Sequence, residues 1–327
     1  MGLCIYIVVW QLTALCNTIH NPKTDNCNAT HNSMKKLLTI AVLILGLVAC
    51  QNEEERLDVV VDGDMKVTIN VEIPEDTRAG SNQGVFENNI LADDNLTMRY
   101  VLQVFYRESG TPTRTERQVR FSDTESAAFE VNLAPGRNYR FVVWADVVKK
   151  EASATEFTDV DYRYNTQEFT SIMRNGCVAL DETYDAFTAT ELIEQFNGQK
   201  SIDLHLKRPF AKLCVQTTEL SIAATQPNKV VMTCEDIPVA YNAYAGKASE
   251  NLADANYDYT IDTAVANTYG ETKSSAEYTL FSDYLFAGSN KLNCTLVLYD
   301  GNTELKSLPI EVDVKTNYVT TVKGKLL

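Results

Sequence analysis

The 327-residue chain carries 44 acidic and 29 basic side chains, giving a formal net charge of −15 at pH 7. This balance argues against nucleic acid and anionic membrane surfaces as partners, because both would repel an acidic protein. Only three histidines occur, and His20 and His31 lie near the amino terminus. A Ser-His-Asp site or a multi-histidine metal centre would therefore have to use His205. His205 alternates with apolar neighbours and is predicted to face solvent on a strand.

Residues 34–50 have the pattern of a bacterial lipoprotein signal. Lys35 and Lys36 precede an apolar run, 37–48, that is too short to span a bilayer, and the small Ala49 stands before Cys50. The pattern predicts a signal peptide over 34–49, a diacylglycerol anchor on Cys50 and an acidic tether over 50–56. Residues 1–33 are interpreted as translated upstream sequence, with an unusually long leader as the alternative.

The remainder of the chain has the periodicity of an all-β protein. Val67, Ile69, Val71 and Ile73 alternate with polar residues, which predicts a half-buried strand, and a Pro/Gly/Asp/Asn-rich loop follows over 74–82. From residue 98 the pattern is that of a β-meander, and many short strands continue to the carboxyl end. These strands predict two tandem β-sandwich domains, 57–200 and 201–327. The one predicted helix, 191–196, begins at a capping box over 188–191.

The cysteines that follow Cys50 are Cys177, Cys214, Cys234 and Cys294, with no CxxC spacing. Their spacing indicates neither a zinc site nor a redox motif. Cys294 shares a strand face with leucines, which favours buried free thiols. An export compartment would also permit disulfides, so both alternatives stay open.

No sequence pattern indicates an enzyme, and we predict no catalytic, cofactor-binding or metal-binding residues. GxSxG, P-loop and HExxH motifs are absent from the sequence. The spaced carboxylates Asp254, Asp258 and Asp262 do not match an EF-hand and are interpreted as a solvated acidic loop. Trp144 is predicted to pack in the core. Glycan-stacking candidates are the tyrosines expected in exposed loops, namely Tyr241, Tyr244, Tyr257, Tyr259 and Tyr269.

Five sequence segments stand out in the chain. They are YRFVVWAD at 139–146, LKRPFAKL at 206–213, IPVAYNA at 237–243, SDYLFA at 282–287 and NYVTTVKG at 317–324. These segments resemble fimbrillin-like surface lipoproteins, the type V pilus-related superfamily of Gram-negative gut and oral anaerobes, and the segments at 206–213 and 317–324 resemble the opening and closing strands of the second domain in that superfamily. The resemblance is to an uncharacterised branch. It implies two transthyretin-like or immunoglobulin-like β-sandwich domains, an outer-membrane lipid anchor and display on the cell surface.

The resemblance also implies a mode of assembly. In polymerising members, an arginine-specific protease cuts the loop after the first strand, and a carboxyl-terminal strand of another subunit fills the groove. The matching positions here are Arg78–Ala79 for the cut and Val67, Ile69, Val71 and Ile73 for the departing strand. The candidate donor residues are Leu308, Ile310, Val312 and Val314, with the closing strand over 318–326 as a second candidate.

Other fimbrial subunits, or further copies of this chain, are therefore the expected partners. The alternative is a monomeric, outer-membrane-anchored lipoprotein that binds glycan or host protein through its loops. A third hypothesis is that the protein is an accessory module of an enzyme.

Overall fold

A computed structural model describes residues 63–74, 91–106, 112–198, 201–217, 225–261, 278–288 and 291–325. Their β-strands, in chain order, are β1 Met65–Glu72, β2 Leu96–Tyr106, β3 Thr113–Ser122, β4 Ser126–Leu133, β5 Tyr139–Lys149, β6 Tyr164–Asn165, β7 Ile172–Arg174, β8 Ala186–Ile193, β9 Ser201–His205, β10 Phe210–Thr217, β11 Lys229–Pro238, β12 Ala240–Asn242, β13 Lys247–Ala248, β14 Leu252–Thr260, β15 Tyr278–Phe286, β16 Leu292–Asp300, β17 Thr303–Val312 and β18 Val319–Gly324. A short 3-10 helix, Glu182–Tyr184, precedes β8. Among these described residues, no helix is long and apolar enough to cross a membrane.

The first sandwich packs two sheets face to face, in the strand orders β4-β1-β9 and β3-β2-β5-β8. The alternating side chains of β1 and β4 point into the space between the sheets, where they meet the alternate side chains of β2 and β5. Strands β2 and β5 are buried along almost their whole length on both faces. A strand that is covered on both sides has a nearly continuous apolar sequence, as YRFVVWAD in β5 shows.

The second sandwich packs a β15-β10-β18 sheet against a β14-β11-β16-β17 sheet. Its core contains alternate side chains of β10, β11, β15 and β16, among them Leu213, Met232, Phe281 and Leu296. Both strands nearest the carboxyl end, β17 and β18, lie at sheet edges.

A third core joins the two sandwiches. Trp144 on the outer face of β5 contacts Tyr164 edge-on at 5.3 Å between ring centroids, and Tyr164 stacks on Phe210 of the second sandwich at 5.5 Å. Phe286 and Tyr241 extend the cluster, with their rings stacked at 5.7 Å. A four-stranded sheet in the order β13-β12-β7-β6 frames it. The prediction that Trp144 is a core residue is confirmed, since its side chain is fully buried.

Ion pairs cross the same boundary. Lys212 of β10 donates to Glu182 at 2.8 Å, and Arg208 pairs with Asp185 at 2.7 Å. Arg174 of β7 pairs with the buried Asp283 of β15 at 2.7 Å. Burial raises the pKa of Asp283, and the nearby Arg174 only partly offsets this effect. The two sandwiches are therefore held together by aromatic packing and by partly desolvated charge pairs.

The all-β prediction is confirmed, but several local interpretations were wrong. The helix expected over 191–196 does not form, because β8 (Ala186–Ile193) pairs along β5 from Ala186↔Asp146 to Ile193↔Tyr139. Tertiary pairing thus overrides the local capping signal. The meander expected from residue 98 is interrupted, since β4 leaves the sheet of β2, β3 and β5 and pairs with β1.

Strand β9 lies in the first sandwich, whereas the predicted boundary between 200 and 201 assigns it to the second domain. It pairs parallel to β1, and Ile202 and Leu204 complete the first core. The chain therefore changes sandwich after Leu206, which is still buried in that core. The division of the chain into two domains itself stays a prediction.

The segment around Asp254 and Asp258, which the sequence predicts to be a solvated acidic loop, is mostly strand β14. Tyr257 and Tyr241 are buried, and Tyr244 and Tyr259 are half-buried, because they fill the second and third cores. The prediction of exposed loop tyrosines was therefore wrong at these positions. Asp254 and Asp258 are exposed on β14, while Tyr269 and Asp262 lie outside the described residues.

Candidate functional site

Strand β1 is the central strand of its sheet. It pairs antiparallel with β4 from Met65↔Leu133 to Glu72↔Ser126. On its other side it pairs parallel with β9 from Thr68↔Ser201 to Glu72↔His205. The backbone of β1 is thus bonded on both sides, and its loss would separate β4 from β9.

One face of β1 is entirely within the first core. Val67 and Ile69 are 0% exposed, Val71 2% and Ile73 3%. The burial of four such side chains stabilises the fold by about 6–12 kcal/mol, at about 1.5–3 kcal/mol each. The predicted half-buried strand is therefore present. It is bound too firmly to leave the sheet unless another apolar strand takes its place.

The opposite face of β1 is polar and solvent-exposed. Lys66 pairs with Glu130 of β4 at 2.7 Å, and the Asn70 side-chain amide donates to Asp203 of β9 at 2.7 Å. His205 lies 2.8 Å from Glu72, on the solvent face of β9, as the sequence predicts. Exposed pairs of this kind contribute at most about 1 kcal/mol each. Apolar burial, and not these charges, holds β1 in place.

Without β1, the first sandwich would present an elongated groove. Its walls would be the edges of β4 and β9, and its floor the apolar face of β2 and β5. Phe129 and Val131 on β4, together with Ile202 and Leu204 on β9, would flank a position that accepts an extended chain with every second residue apolar. Unpaired strand edges that flank alternating pockets are the requirement for strand addition.

Strand β17 has the same alternation as β1 and lies at a sheet edge. Leu308, Ile310 and Val312 recur at every second position, and Val314 follows directly after the strand. Ile310 is 9% exposed, while the other three are only half-buried against the second core. Their burial is less complete than that of the β1 residues. Strand β17 therefore costs less to release than β1.

Pro309 occupies an outward position of β17, opposite Thr295 of β16. Proline has no backbone N–H, which is why it is found on edge strands. The closing strand β18 lies at the edge of the other sheet, parallel to β10, and has a weaker apolar alternation. Of the two candidate donors, β17 has the side-chain pattern that matches β1.

The predicted lipid site Cys50 and the predicted cleavage residues Arg78 and Ala79 lie outside the described residues. The described chain extends beyond β1 as far as Pro74, with the Ile73 amide bonded to the Glu125 carbonyl at 2.9 Å. It is described again from Leu91. Lipidation and cleavage stay predictions.

Sequence reasoning missed a charge cluster on the outer face of the β3-β2-β5-β8 sheet. Arg99 of β2 is fully buried and donates two hydrogen bonds to Asp146 of β5, at 3.0 and 2.8 Å. It also reaches Asp159 at 2.9 Å and Asp161 at 3.0 Å, which belong to the segment that covers the sheet. Burial raises the pKa of Asp146, an effect that Arg99 opposes. These contacts join residues far apart in sequence, so no local pattern could reveal them.

A cavity of about 620 Å³ lies at one end of the second sandwich. Its lining combines apolar and charged side chains, including Phe286, Leu292, Lys247, Lys291, Glu235 and Asp236. In the part of the chain that the structure describes, no group of three or more His, Cys, Asp or Glu residues is arranged to hold a metal ion.

Comparison with solved structures finds distant similarity to fimbrial proteins and candidate adhesins. The fimbrial anchor protein Mfa2 from Porphyromonas gingivalis is 12% identical, with a TM-score of 0.41 over 75% of this chain and 82% of that one. A fimbrial assembly protein from Parabacteroides distasonis is 8% identical, with a TM-score of 0.40 over 80% and 91% of the two chains. A candidate adhesin from Bacteroides thetaiotaomicron is 9% identical, with a TM-score of 0.44 over 81% and 94%.

Comparison with curated proteins finds no match. A family model matches residues 58–327, which include all the strands of both sandwiches. The chain therefore belongs to DUF6562, a family of unknown function.

Proposed function

We propose that this protein is a cell-surface fimbrial or adhesin-like lipoprotein with a structural, non-enzymatic role. Cys50 anchors it in the outer membrane. Cleavage between Arg78 and Ala79 releases β1, and a carboxyl-terminal strand of another subunit enters the groove. The partner is a further copy of this chain or another fimbrial subunit.

The observation that carries this proposal is the position of β1. It is the first strand of the described chain, it lies in the centre of its sheet, and its whole apolar face is buried. The connection that follows it contains Arg78, at the position where the fimbrillin-like superfamily is cut. Cys50 and β1 both precede this arginine, so one cut would detach the subunit from its lipid and also free the strand that fills the groove.

The free energies of apolar burial support β17 as the incoming strand. Leu308, Ile310, Val312 and Val314 would fill four alternating positions of the groove, a gain of about 6–12 kcal/mol against water. Pro309 would leave one ladder position unbonded between β4 and β9, at a cost of about 1 kcal/mol. Partial burial of the same residues in the second core reduces the net gain. The net free energy of replacing one apolar strand by another is therefore close to zero, whereas leaving the groove empty is strongly unfavourable.

The cleavage step is tested by Arg78→Gln in the native host, with Arg56→Gln as the matched control. Arg56 lies between the lipid site and β1, so a cut there would release the lipid but leave β1 attached to the rest of the chain. We expect Arg78→Gln protein to stay lipid-anchored and monomeric, while Arg56→Gln protein assembles like the wild type. Surface extracts separated by size without heating provide the readout. Assembly of Arg78→Gln protein at the wild-type level would contradict the proposal.

The alternative is a permanently anchored monomer that binds glycan or host protein. The cavity in the second sandwich favours it, because apolar and charged side chains together suit a polar ligand with an apolar face. In this case β1 would remain in place in all surface material. Lys291→Ala would weaken retention of the protein on host glycans or host proteins without changing its size.

A further inference from the structure

Two cysteines of the second sandwich face each other across neighbouring strands. Cys234 of β11 and Cys294 of β16 are directly opposed in an antiparallel register. Opposed residues in such a pair have Cα atoms about 4.5–5.5 Å apart, which lies within the range of about 4.4–6.8 Å that disulfides span. The two sulfur atoms are 2.8 Å apart. The register and the sulfur contact therefore place the pair within reach of a disulfide bond.

The surroundings of this pair are apolar. Cys234 is 0% exposed and Cys294 4%, and both belong to the second core together with Met232 and Leu296. The hydrogen-bonding contact with Cys294, together with burial, raises the pKa of the Cys234 thiol. The reactive thiolate is thus scarce once the sandwich has closed. Oxidation would have to occur during folding, while β11 and β16 are still accessible.

The other two cysteines within the described ranges, Cys177 and Cys214, are not opposed to a cysteine in this way. Cys214 of β10 lies opposite Ser282 on one side and Thr321 on the other. Cys177 is exposed and lies outside the strands. They form a natural internal control for any test of the opposed pair.

We propose that Cys234 and Cys294 form a disulfide that fixes β16 to β11. A thiolate of one cysteine attacks a disulfide oxidant of the export compartment, which gives a mixed disulfide and releases one thiol of the oxidant. The second cysteine then displaces the other half. Two protein thiols and one oxidant disulfide are thus converted into one protein disulfide and two oxidant thiols. Formation of the bond in the cell rests on the proposed export, because a reducing cytoplasm would keep both thiols free.

The bond would close a loop that contains β12, β13, β14 and β15. Such a link stabilises a protein mainly because it restricts the unfolded chain. It would also hold β16 in its sheet from the side opposite β17, since Cys294 lies between Cys234 and Ile310 in the register. The second sandwich would be the part of the molecule that gains stability.

The bond itself is tested on the full chain, refolded from denaturant in a mixture of oxidised and reduced glutathione. Free thiols are then alkylated under denaturing conditions, and the digested peptides are identified by mass spectrometry. We expect one linked peptide pair that contains Cys234 and Cys294, with Cys177 and Cys214 alkylated. Alkylation of both Cys234 and Cys294, or a link from either of them to any other of the eight cysteines, would overturn the proposal. Refolding needs no export, so this result is independent of the fimbrial function, which cell fractionation tests separately.

The stabilising effect is tested by thermal unfolding of the oxidised protein with and without dithiothreitol. We expect the reductant to lower the Tm of the wild type by on the order of 10 °C. Cys177→Ser/Cys214→Ser protein should show the same decrease, and Cys234→Ala/Cys294→Ala protein should show none. An unchanged wild-type Tm in reductant would contradict the stabilising role. The wild-type comparison decides the question even if the double alanine variant does not fold.

Discussion

Arg99 shows how a single buried charge organises the first sandwich. It lies in the middle of β2 with no solvent contact, and it joins Asp146 in its own sheet to Asp159 and Asp161 in the covering segment. A buried pair is weak as a net source of stability, but removal of one partner leaves an uncompensated charge. Arg99 therefore fixes how the segment after β5 lies on the sheet.

We predict that Arg99→Leu destabilises the protein by about 3–5 kcal/mol, because Asp146 remains buried without its cation. Urea unfolding followed by tryptophan fluorescence measures this change, since Trp144 lies in the same strand as Asp146. The control is Lys247→Ala, which removes an exposed pair with Glu250 and should cost less than about 1 kcal/mol. Equal stabilities of the two variants would show that the buried cluster does not hold the segment.

Pro309 has a different effect when β17 is the edge strand of its own sandwich than it would have if β17 were the donor strand in another subunit. In its present position its missing N–H costs nothing, because that side of β17 has no neighbouring strand among those described. In the place of β1, one hydrogen bond would be lost. We predict that Pro309→Val leaves monomer stability within about 0.5 kcal/mol and makes assembled material harder to dissociate by about 1 kcal/mol per subunit contact. Unchanged dissociation in urea would exclude β17 as the donor.

At the scale of secondary-structure elements, the local sequence pattern predicts strand β1 but does not predict strand β8. The strict alternation of Val67, Ile69, Val71 and Ile73 is a local pattern, and it survives in the structure because one face meets a core and the other meets water. Around Thr188, the local pattern is a capping box, yet the strand pairing with β5 decides the outcome. Likewise, β9 joins β1 through a parallel pairing between residues far apart in the chain. Local periodicity contains no information about such partners.

The contrast between β1 and β17 gives a matched pair of valine variants. We predict that Val71→Ala, at a fully buried position of β1, destabilises the monomer by about 1.5–3 kcal/mol. Val312→Ala, at a half-buried position of β17, should cost less than about 1 kcal/mol in the monomer and more in assembled material. Chemical denaturation of uncleaved monomers compares the two. Equal losses of unfolding free energy in the two variants would mean that β17 is bound in its sheet as tightly as β1 and is unsuited to leave it.

At the scale of the whole molecule, the two sandwiches differ in what strand exchange would demand of them. The first would lose a central strand and accept a replacement, while the second would release a strand from its edge. The aromatic core and the ion pairs join the two sandwiches. Under the proposed strand exchange, a groove in one sandwich and a donor strand in the other would let each subunit accept one neighbour and donate to the next, which would be the arrangement of an open filament.

The most direct test is the amino terminus of the protein isolated from the surface of its native host, determined by intact and peptide mass spectrometry. Strand exchange predicts that the surface form begins at Ala79, with the lipid and residues 50–78 removed. Finding acylated Cys50 still joined to Val67–Ile73 in all surface material would contradict assembly by this route.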